Sequence, residues 1–298
     1  MKLVISGGAG TLGRVLARNF STMGFDVVVL SRRNITVEGA RVLQWDGKSV
    51  DASWAHELQD SVLINLSGAL VDRIPTKKNI DLLESSRVEP TLALISAAKE
   101  FGSPKVWLQM STLAIYGDAG QQELDETALP ADDPRQMAGV SKAWETAVTG
   151  ATVDRLVFLR TGVVLEPGTP ALNRLVTMTK LFLGGTVASG KQWVSWIDYR
   201  DFVRAIEFII ANDSISGIVH LTSPNPVQNK VLMATLREKL GRPWSPPTPA
   251  FLVKLGGILL FRTDPQLALT GRRAVPKKLQ SHGFKFEYDS LEQSLGEL

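Results

Sequence analysis

The sequence holds no cysteine in 298 residues. That excludes disulfides, redox dithiols and thiolate-bound metals. Histidine is almost as scarce: His56, His220 and His282 are the only three, and they lack the spacing of a metal site. Charge of one sign is not in excess either. Lys and Arg number 33 against 30 Asp and Glu, a net charge of +3, and no block of like charge stands out. Nothing therefore calls for a nucleic-acid partner. Long apolar runs are missing too. The longest, Phe251 to Phe261, is interrupted by Lys254 and is too short to span a bilayer, so no membrane partner is expected. An apolar strand begins within three residues of Met1, which leaves no room for a signal peptide, and the expected location is cytoplasmic. The remainder, 44% hydrophobic and 21% charged, is the composition of a globular chain with enough length for one large domain or two modest ones.

What is present is concentrated near the N-terminus, in Ser6-Gly7-Gly8-Ala9-Gly10-Thr11-Leu12-Gly13. The apolar run Leu3-Val4-Ile5 precedes it. A helical pattern follows, with Leu12, Val15, Leu16 and Phe20 on one face. Strand, glycine turn and helix form the context of a dinucleotide-binding fingerprint, here spaced G-x-x-G-x-x-G. Gly7 permits the tight turn, Gly10 lets the backbone approach a pyrophosphate, and Gly13 lets helix and strand pack closely. The free N–H groups at Thr11, Leu12 and Gly13 then face the phosphates.

The next strand, Asp26 to Leu30, ends in Ser31-Arg32-Arg33. An acid here would bind the ribose hydroxyls of NAD. A hydroxyl and two guanidinium groups suit a 2′-phosphate instead, so NADP(H) is expected over NAD(H), with Arg32 as the stronger candidate of the pair. Asp46, after a third strand, meets either an adenine amino group or its own turn. A fourth strand, Ser61 to Leu66, closes in Ser67-Gly68-Ala69, whose small side chains leave room for the cofactor. Arg87, in a helix read from Ile80 to Phe101, is expected to be a salt-bridge partner. A strand from Lys105 leads to Thr112 and Tyr116, where hydroxyl groups at a strand's C-terminal end meet ligands in doubly wound sheets. A helix from about Met137 carries Ser141, Lys142, Trp144 and Glu145. The next strand is expected to run from Arg155 through Leu165. Alternating strands and helices imply an α/β fold with a parallel, Rossmann-like doubly wound sheet.

Together these residues resemble the epimerase/dehydratase branch of the extended short-chain dehydrogenase/reductases. The turn Ser6 to Gly13 is similar to its T-G-x-x-G-x-x-G, Asn65-Leu66-Ser67-Gly68 to its post-strand motif, Thr112 to Gly117 to its Ser/Thr segment, and Ala138-Gly139-Val140-Ser141-Lys142 to its Y-G-x-S-K. A narrower likeness, to a poorly characterised "epimerase family protein" subgroup, rests on Leu159 to Leu165, Leu183-Gly184-Gly185, Ser189 to Trp193, Ser195-Trp196-Ile197, Ser223 to Asn229 and Gly271 to Leu279. The resemblance implies an NADP(H)-binding domain over 1–165, completed by 196–223, and a smaller C-terminal substrate lobe from 166–195 and 224–298. It implies a small polar substrate, of which a nucleotide sugar is one candidate, and a monomer or homodimer.

One departure bears on the chemistry. The branch's catalytic tyrosine, four residues before its lysine, is Ala138 here, as the subgroup also generally lacks it. Alanine transfers no proton. Lys142 remains for the nicotinamide ribose and Thr112 for a substrate oxygen, with Tyr116 as the named substitute acid and Tyr199 and Asp198 as further candidates. The expected function is an NADP(H)-binding epimerase or oxidoreductase with an unconventional proton donor. The alternative is a non-catalytic NADP(H)-binding regulator or scaffold. In the second half, the amphipathic stretch Leu172 to Leu183 is expected to line the substrate cleft, Pro243 to Pro249 to be a rigid linker, and Phe251 to Phe261 a core or interface helix. The basic residues Arg262, Arg272, Arg273, Lys277 and Lys278 are expected to form a solvated face.

Overall fold

Alternation of apolar side chains decides the two faces of the central sheet. The structure, a computed structural model, describes residues 1–296 and 298. Its strands are β1 Lys2–Ser6, β2 Asp26–Ser31, β3 Arg41–Gln44, β4 Val62–Asn65, β5 Val106–Thr112, β6 Glu123–Leu124, β7 Arg155–Thr161, β8 Val163–Leu165, β9 Trp193–Val194, β10 Trp196–Asp198, β11 Gly217–Leu221, β12 Val227–Gln228 and β13 Arg273–Ala274. The helices that follow are α1 Thr11–Thr22, α2 Ala52–Ala55, α3 Lys77–Phe101, α4 Val140–Ala147, α5 Pro170–Lys180, α6 Tyr199–Ala211, α7 Asn229–Lys239, α8 Ala250–Leu259 and α9 Gln266–Leu269.

Seven strands pair in parallel in the order β11-β7-β5-β4-β1-β2-β3. On β1 and β2, Leu3, Ile5, Val27 and Val29 point to one face, where α1 and α6 cover them with Leu16, Phe20, Phe202 and Ile206. Val4, Val28 and Leu30 point to the other, against Trp54, Trp107 and the α3 residues Leu94 and Ala97. Strands buried on both faces need continuous apolar runs, which is why β1, β2 and β4 read so plainly in the sequence. Strand order reverses between β1 and β4, and the crevice beyond their C-terminal ends is the ligand position of such sheets.

Two elements differ from the sequence reading, and a third gains a constraint beyond it. The long helix begins at Lys77, capped by Thr76 Oγ1, which accepts the Asn79 N–H at 3.3 Å. The strand read through Leu165 breaks at Gly162. A Cβ there would lie 2.6 Å from the Ser195 carbonyl oxygen, and β8 leaves the main sheet to pair with β10. The proline-rich stretch, read as a rigid linker, is also tied to another segment: the Thr248 N–H donates to the Thr186 carbonyl and the Thr248 carbonyl accepts the Ala188 N–H, at 2.9 Å each. A smaller core forms in the second half from Leu165, Leu172, Trp196, Leu232, Leu236, Leu291 and Leu295. It holds α5 against α7. Helix α8 is not core: Phe251, Leu255 and Leu259 are 66%, 55% and 67% exposed, and only Gly257 is buried.

Candidate functional site

The glycine turn is built by two kinds of contact. A Cβ on Gly13 would lie 2.3 Å from Gly8 Cα, and one on Gly7 would lie 2.9 Å from the Leu66 carbonyl. These two positions let protein backbone approach protein backbone. At Gly10 an added Cβ would meet nothing nearer than the Gly7 oxygen, at 3.5 Å. Its missing side chain leaves open space at the head of α1. Gly10 caps that helix without a side-chain hydrogen bond, and no acid occupies the first turn, Thr11-Leu12-Gly13. The first N–H groups of a 12-residue helix, with the positive end of its dipole, thus face a cleft. This is a site for anionic oxygens, and its shape fits a dinucleotide pyrophosphate.

The floor of the crevice is a buried polar network. Ser6 Oγ contacts Ser67 Oγ and donates to Asn65 Oδ1 at 3.2 Å. Asn65 Nδ2 donates to Thr91 Oγ1 at 2.9 Å and to Gln109 Oε1 at 3.1 Å. Trp107 Nε1 also donates to Gln109 Oε1, at 3.0 Å. Every member is satisfied, so the network fixes the Ser67 turn against Gly7. At Gly68 beside it, a Cβ would lie 2.9 Å from Arg87 Cζ and would have to displace that side chain. Arg87 has no carboxylate partner among the described residues, where a salt bridge was expected. It donates to the carbonyls of Leu83 and Ala69 and lies over the Trp144 ring, and burial lowers its pKa to about 10.

At the end of β2, Ser31 is buried. Its Oγ donates to the Arg33 carbonyl at 2.9 Å and accepts the Arg33 N–H at 3.1 Å, so the hydroxyl shapes the turn that carries the two arginines. Arg32 and Arg33 are exposed, and neither guanidinium has a hydrogen-bond or ion-pair partner among the described residues. Arg32 passes over Gly47, its Cδ 3.8 Å from the position of a Cβ there. Arg33 joins Arg14, Arg18, Gly10, Thr11, Glu38 and Glu166 around a cleft of about 570 Å³. Arg14 donates to the carbonyls of Ala9 and Thr36. Of the two readings left open for Asp46, the turn is the one observed. Its Oδ1 accepts the N–H groups of Lys48 and Ser49 at 2.7 Å each, which pull its pKa down to about 2.

Thr112 ends β5, and its Oγ1 accepts the Ala114 N–H at 3.1 Å. Lys142 Nζ donates to Asp132 at 2.9 Å, a pair whose acid is fully in solvent and correspondingly weak. Ala138 is fully buried in a π-helical turn, Arg135–Gly139. Tyr116 does not point into the open cleft. It is buried, its Oη accepts from Arg160 Nη1 at 2.8 Å and lies 2.6 Å from His220 Nε2. His220 Nδ1 faces the Val275 carbonyl at 3.0 Å, which can only accept, so the proton sits on Nδ1 and Tyr116 donates to Nε2. Arg160 also forms a two-armed pair with Glu145, at 2.9 and 2.8 Å, and Glu145 accepts from Ser111 Oγ at 2.6 Å. Burial raises the Tyr116 pKa, so the phenol stays neutral. Asp198 is likewise structural: it is buried, caps α6 and pairs with Arg200.

The C-terminal basic residues do not form one face. Arg273 pairs with Glu123, Lys277 with Asp125, and Lys278 donates to the Ser216 carbonyl. Arg272 is half-buried and donates to the Gly117 carbonyl at 2.7 Å. The Ser111–Glu145–Arg160–Tyr116–His220 chain was not legible in the sequence, since its members come from four separate segments.

Residues 3–220 match the NAD dependent epimerase/dehydratase family, and residues 248–298 match a domain of unknown function, DUF1731. Epimerase family protein YfhF of Bacillus subtilis (strain 168) is 32% identical over 311 residues, covering 100% of this chain and 98% of its own. The chain belongs to the NAD dependent epimerase/dehydratase family. Human epimerase family protein SDR39U1, solved with NADPH, superposes with a TM-score of 0.86 at 24% identity, covering 100% of this chain and 98% of that one. MoeE5, solved with UDP-glucose and NAD, superposes with a TM-score of 0.76 at 20% identity, covering 99% and 96%. Both share the fold. Among the described residues no helix is long and apolar enough to cross a membrane, and no cluster of acids and histidines could hold a metal.

Proposed function

We propose that this chain binds NADP(H) in preference to NAD(H) and acts as an epimerase-type oxidoreductase on a small hydroxyl-bearing molecule. The observation that carries the reading is the pair of unpartnered guanidinium groups, Arg32 and Arg33, beside a helix N-terminus whose turn leaves open space at Gly10. A cation held at a surface without an anion is poised for one supplied by a ligand, and a 2′-phosphate reaches this position in the fold. The NADPH bound by SDR39U1 supports the same reading.

The backbone N–H groups after Gly10 would hold the pyrophosphate, Arg32 and Arg33 the 2′-phosphate, and Lys142 the nicotinamide ribose in exchange for Asp132. The nicotinamide, when bound, supplies or accepts a hydride. Thr112 would orient the substrate oxygen through its hydroxyl hydrogen, which its cap to Ala114 leaves free. The UDP-glucose held by MoeE5 supports a hydroxyl-bearing substrate, a nucleotide sugar being one form.

A side-by-side titration with NADPH and NADH, followed by tryptophan quenching, tests the cofactor. NADPH is expected to bind more tightly, and Arg32→Ala to weaken it by roughly tenfold while leaving NADH unchanged, about what one charge-assisted contact contributes. Equal affinity for both nucleotides in the unaltered protein overturns the preference. A second reading, a non-catalytic NADP(H)-binding regulator, is favoured by buried Ala138 and by the engagement of Tyr116 with Arg160 and His220. NADPH binding without oxidation across a panel of carbonyl compounds would select it.

A further inference from the structure

Helix α8 turns its apolar side to water. Successive helical residues are about 100° apart, which places Phe251, Leu252, Leu255, Ile258 and Leu259 within an arc of about 120°. All five are exposed, as are Leu260 and Phe261 just beyond the helix. Gly257, the residue that α8 buries, lies on the opposite side, where a Cβ would come within 3.0 Å of Pro265 Cγ. A surface helix is ordinarily oriented the other way, apolar side inward. Apolar side chains scattered singly over a surface are normal, but a contiguous patch marks an interaction site. The patch continues past α8. Thr248, two residues before the helix, is bonded to Thr186 and Ala188 in the exit loop of α5. In that loop Leu181, Phe182 and Leu183 are 50–62% exposed, and Trp244 is 69% exposed. Arg242 lies over the Phe182 ring at 4.8 Å, and Arg174 of α5 lies over Phe261 at 5.8 Å. Thus α5 and its exit loop flank α8 at both ends.

Charge in these two segments is of one sign. No acid occurs between Glu166 and Asp198 or between Glu238 and Asp264, and every charged residue in the two intervals is Lys or Arg. Lys180, Lys254 and Arg262 are exposed, and none has a carboxylate partner among the described residues. Lys254 borders the apolar arc on the Ile258 side, and Arg262 follows Phe261. Two acids adjoin the patch, and neither offsets these cations. Asp72 pairs with Arg174, and Asp264 is buried, accepting the Gln266 N–H at 2.9 Å.

We propose that α8 and the exit loop of α5 dock this protein on the surface of an anionic lipid bilayer, without spanning it. The helix is too short to cross. Its apolar arc edged by cations is the pattern of a helix that lies in the interface plane, and an exposed tryptophan beside it suits the headgroup region. An anionic lipid surface takes up the apolar arc and meets the cations at once. A second copy on the same face would set Lys254 and Arg262 against their own counterparts, with no acid in either segment to meet them. The proposal stands apart from the cofactor reading and does not depend on it.

Vesicle flotation tests this with phosphatidylcholine alone and with an equimolar mixture of phosphatidylcholine and phosphatidylglycerol. The unaltered protein is expected to bind the anionic vesicles roughly tenfold or more tightly than the neutral ones. The double variant Leu255→Gln, Leu259→Gln is expected to float with neither. The double variant Lys254→Gln, Arg262→Gln is expected to lose most of the preference for anionic vesicles. Both should keep the thermal midpoint of the unaltered protein, because all four side chains are exposed. Absence of flotation with either vesicle overturns the proposal, as does equal binding of both by the unaltered protein or flotation that the leucine variant retains. A dimer in analytical ultracentrifugation that the leucine variant turns into a monomer also overturns it, and assigns the face to a second copy.

Discussion

Tyr116 shows how a side chain with the chemistry for one role is committed to another. A phenol four residues after Thr112 is a reasonable substitute acid when only the sequence is read. In the fold its oxygen is held between an Arg160 donor and a His220 acceptor, and both partners are themselves buried. Removing that oxygen leaves a guanidinium N–H and an imidazole nitrogen without partners, which costs about 1–3 kcal/mol. Tyr116→Phe is therefore expected to lower unfolding stability by that amount in urea titrations while NADPH affinity stays unchanged. Stability equal to that of the unaltered protein would mean the hydroxyl is not structural and would return Tyr116 to the list of proton donors.

The glycine turn separates two demands that one motif combines. Gly13 is required by the protein's own packing, because a Cβ would fall 2.3 Å from Gly8 Cα, where neither backbone can give way. Gly10 has no such constraint from protein atoms, and its φ of −76° is open to alanine. Gly13→Ala should thus destabilise the fold by about 3 kcal/mol or more, in the range of strained or overpacked core changes. Gly10→Ala should keep its thermal midpoint within a few degrees and lose NADPH affinity. If both variants lost only stability, Gly10 would be a packing residue and the open space beside it would carry no ligand. This turn, the strands around it and the chain's family were legible in the sequence because each is local: eight residues carry the motif and apolar runs carry the strands. Arg87 and the break at Gly162 were not, since each depends on a neighbour far along the chain. For Arg87 that neighbour is Ala69, and for Gly162 it is Ser195. At α8, read as a core or interface helix, composition could not separate the two, and exposure of its large side chains rules out core.

His220 ties the main sheet to the C-terminal segment and makes their joint stability depend on pH. It lies on β11 and reaches Tyr116 with one ring nitrogen and the Val275 carbonyl with the other. Its backbone N–H donates to Glu126, which also accepts the Lys278 N–H. Burial, chiefly, lowers its pKa to about 4 from 6.5, with the Arg160 and Lys278 charges acting the same way and Asp125 opposing. The folded state thus keeps the ring neutral where the unfolded chain would protonate it. Between pH 6.5 and about 4 the unfolded state binds the extra proton, so stability falls as pH falls through that window and is fully present above it. The span corresponds to about 3 kcal/mol. Glu126, whose pKa burial raises, works in the opposite sense and blunts the slope. Denaturant midpoints measured from pH 7.5 down to 4.5 should decline, with far-ultraviolet and tryptophan signals moving together because sheet and C-terminal segment share the same buried chain. His220→Asn should be less stable at pH 7.5 and should have a shallower decline. An unchanged slope in that variant would place the pH dependence on surface carboxylates and remove His220 as the link between the two parts.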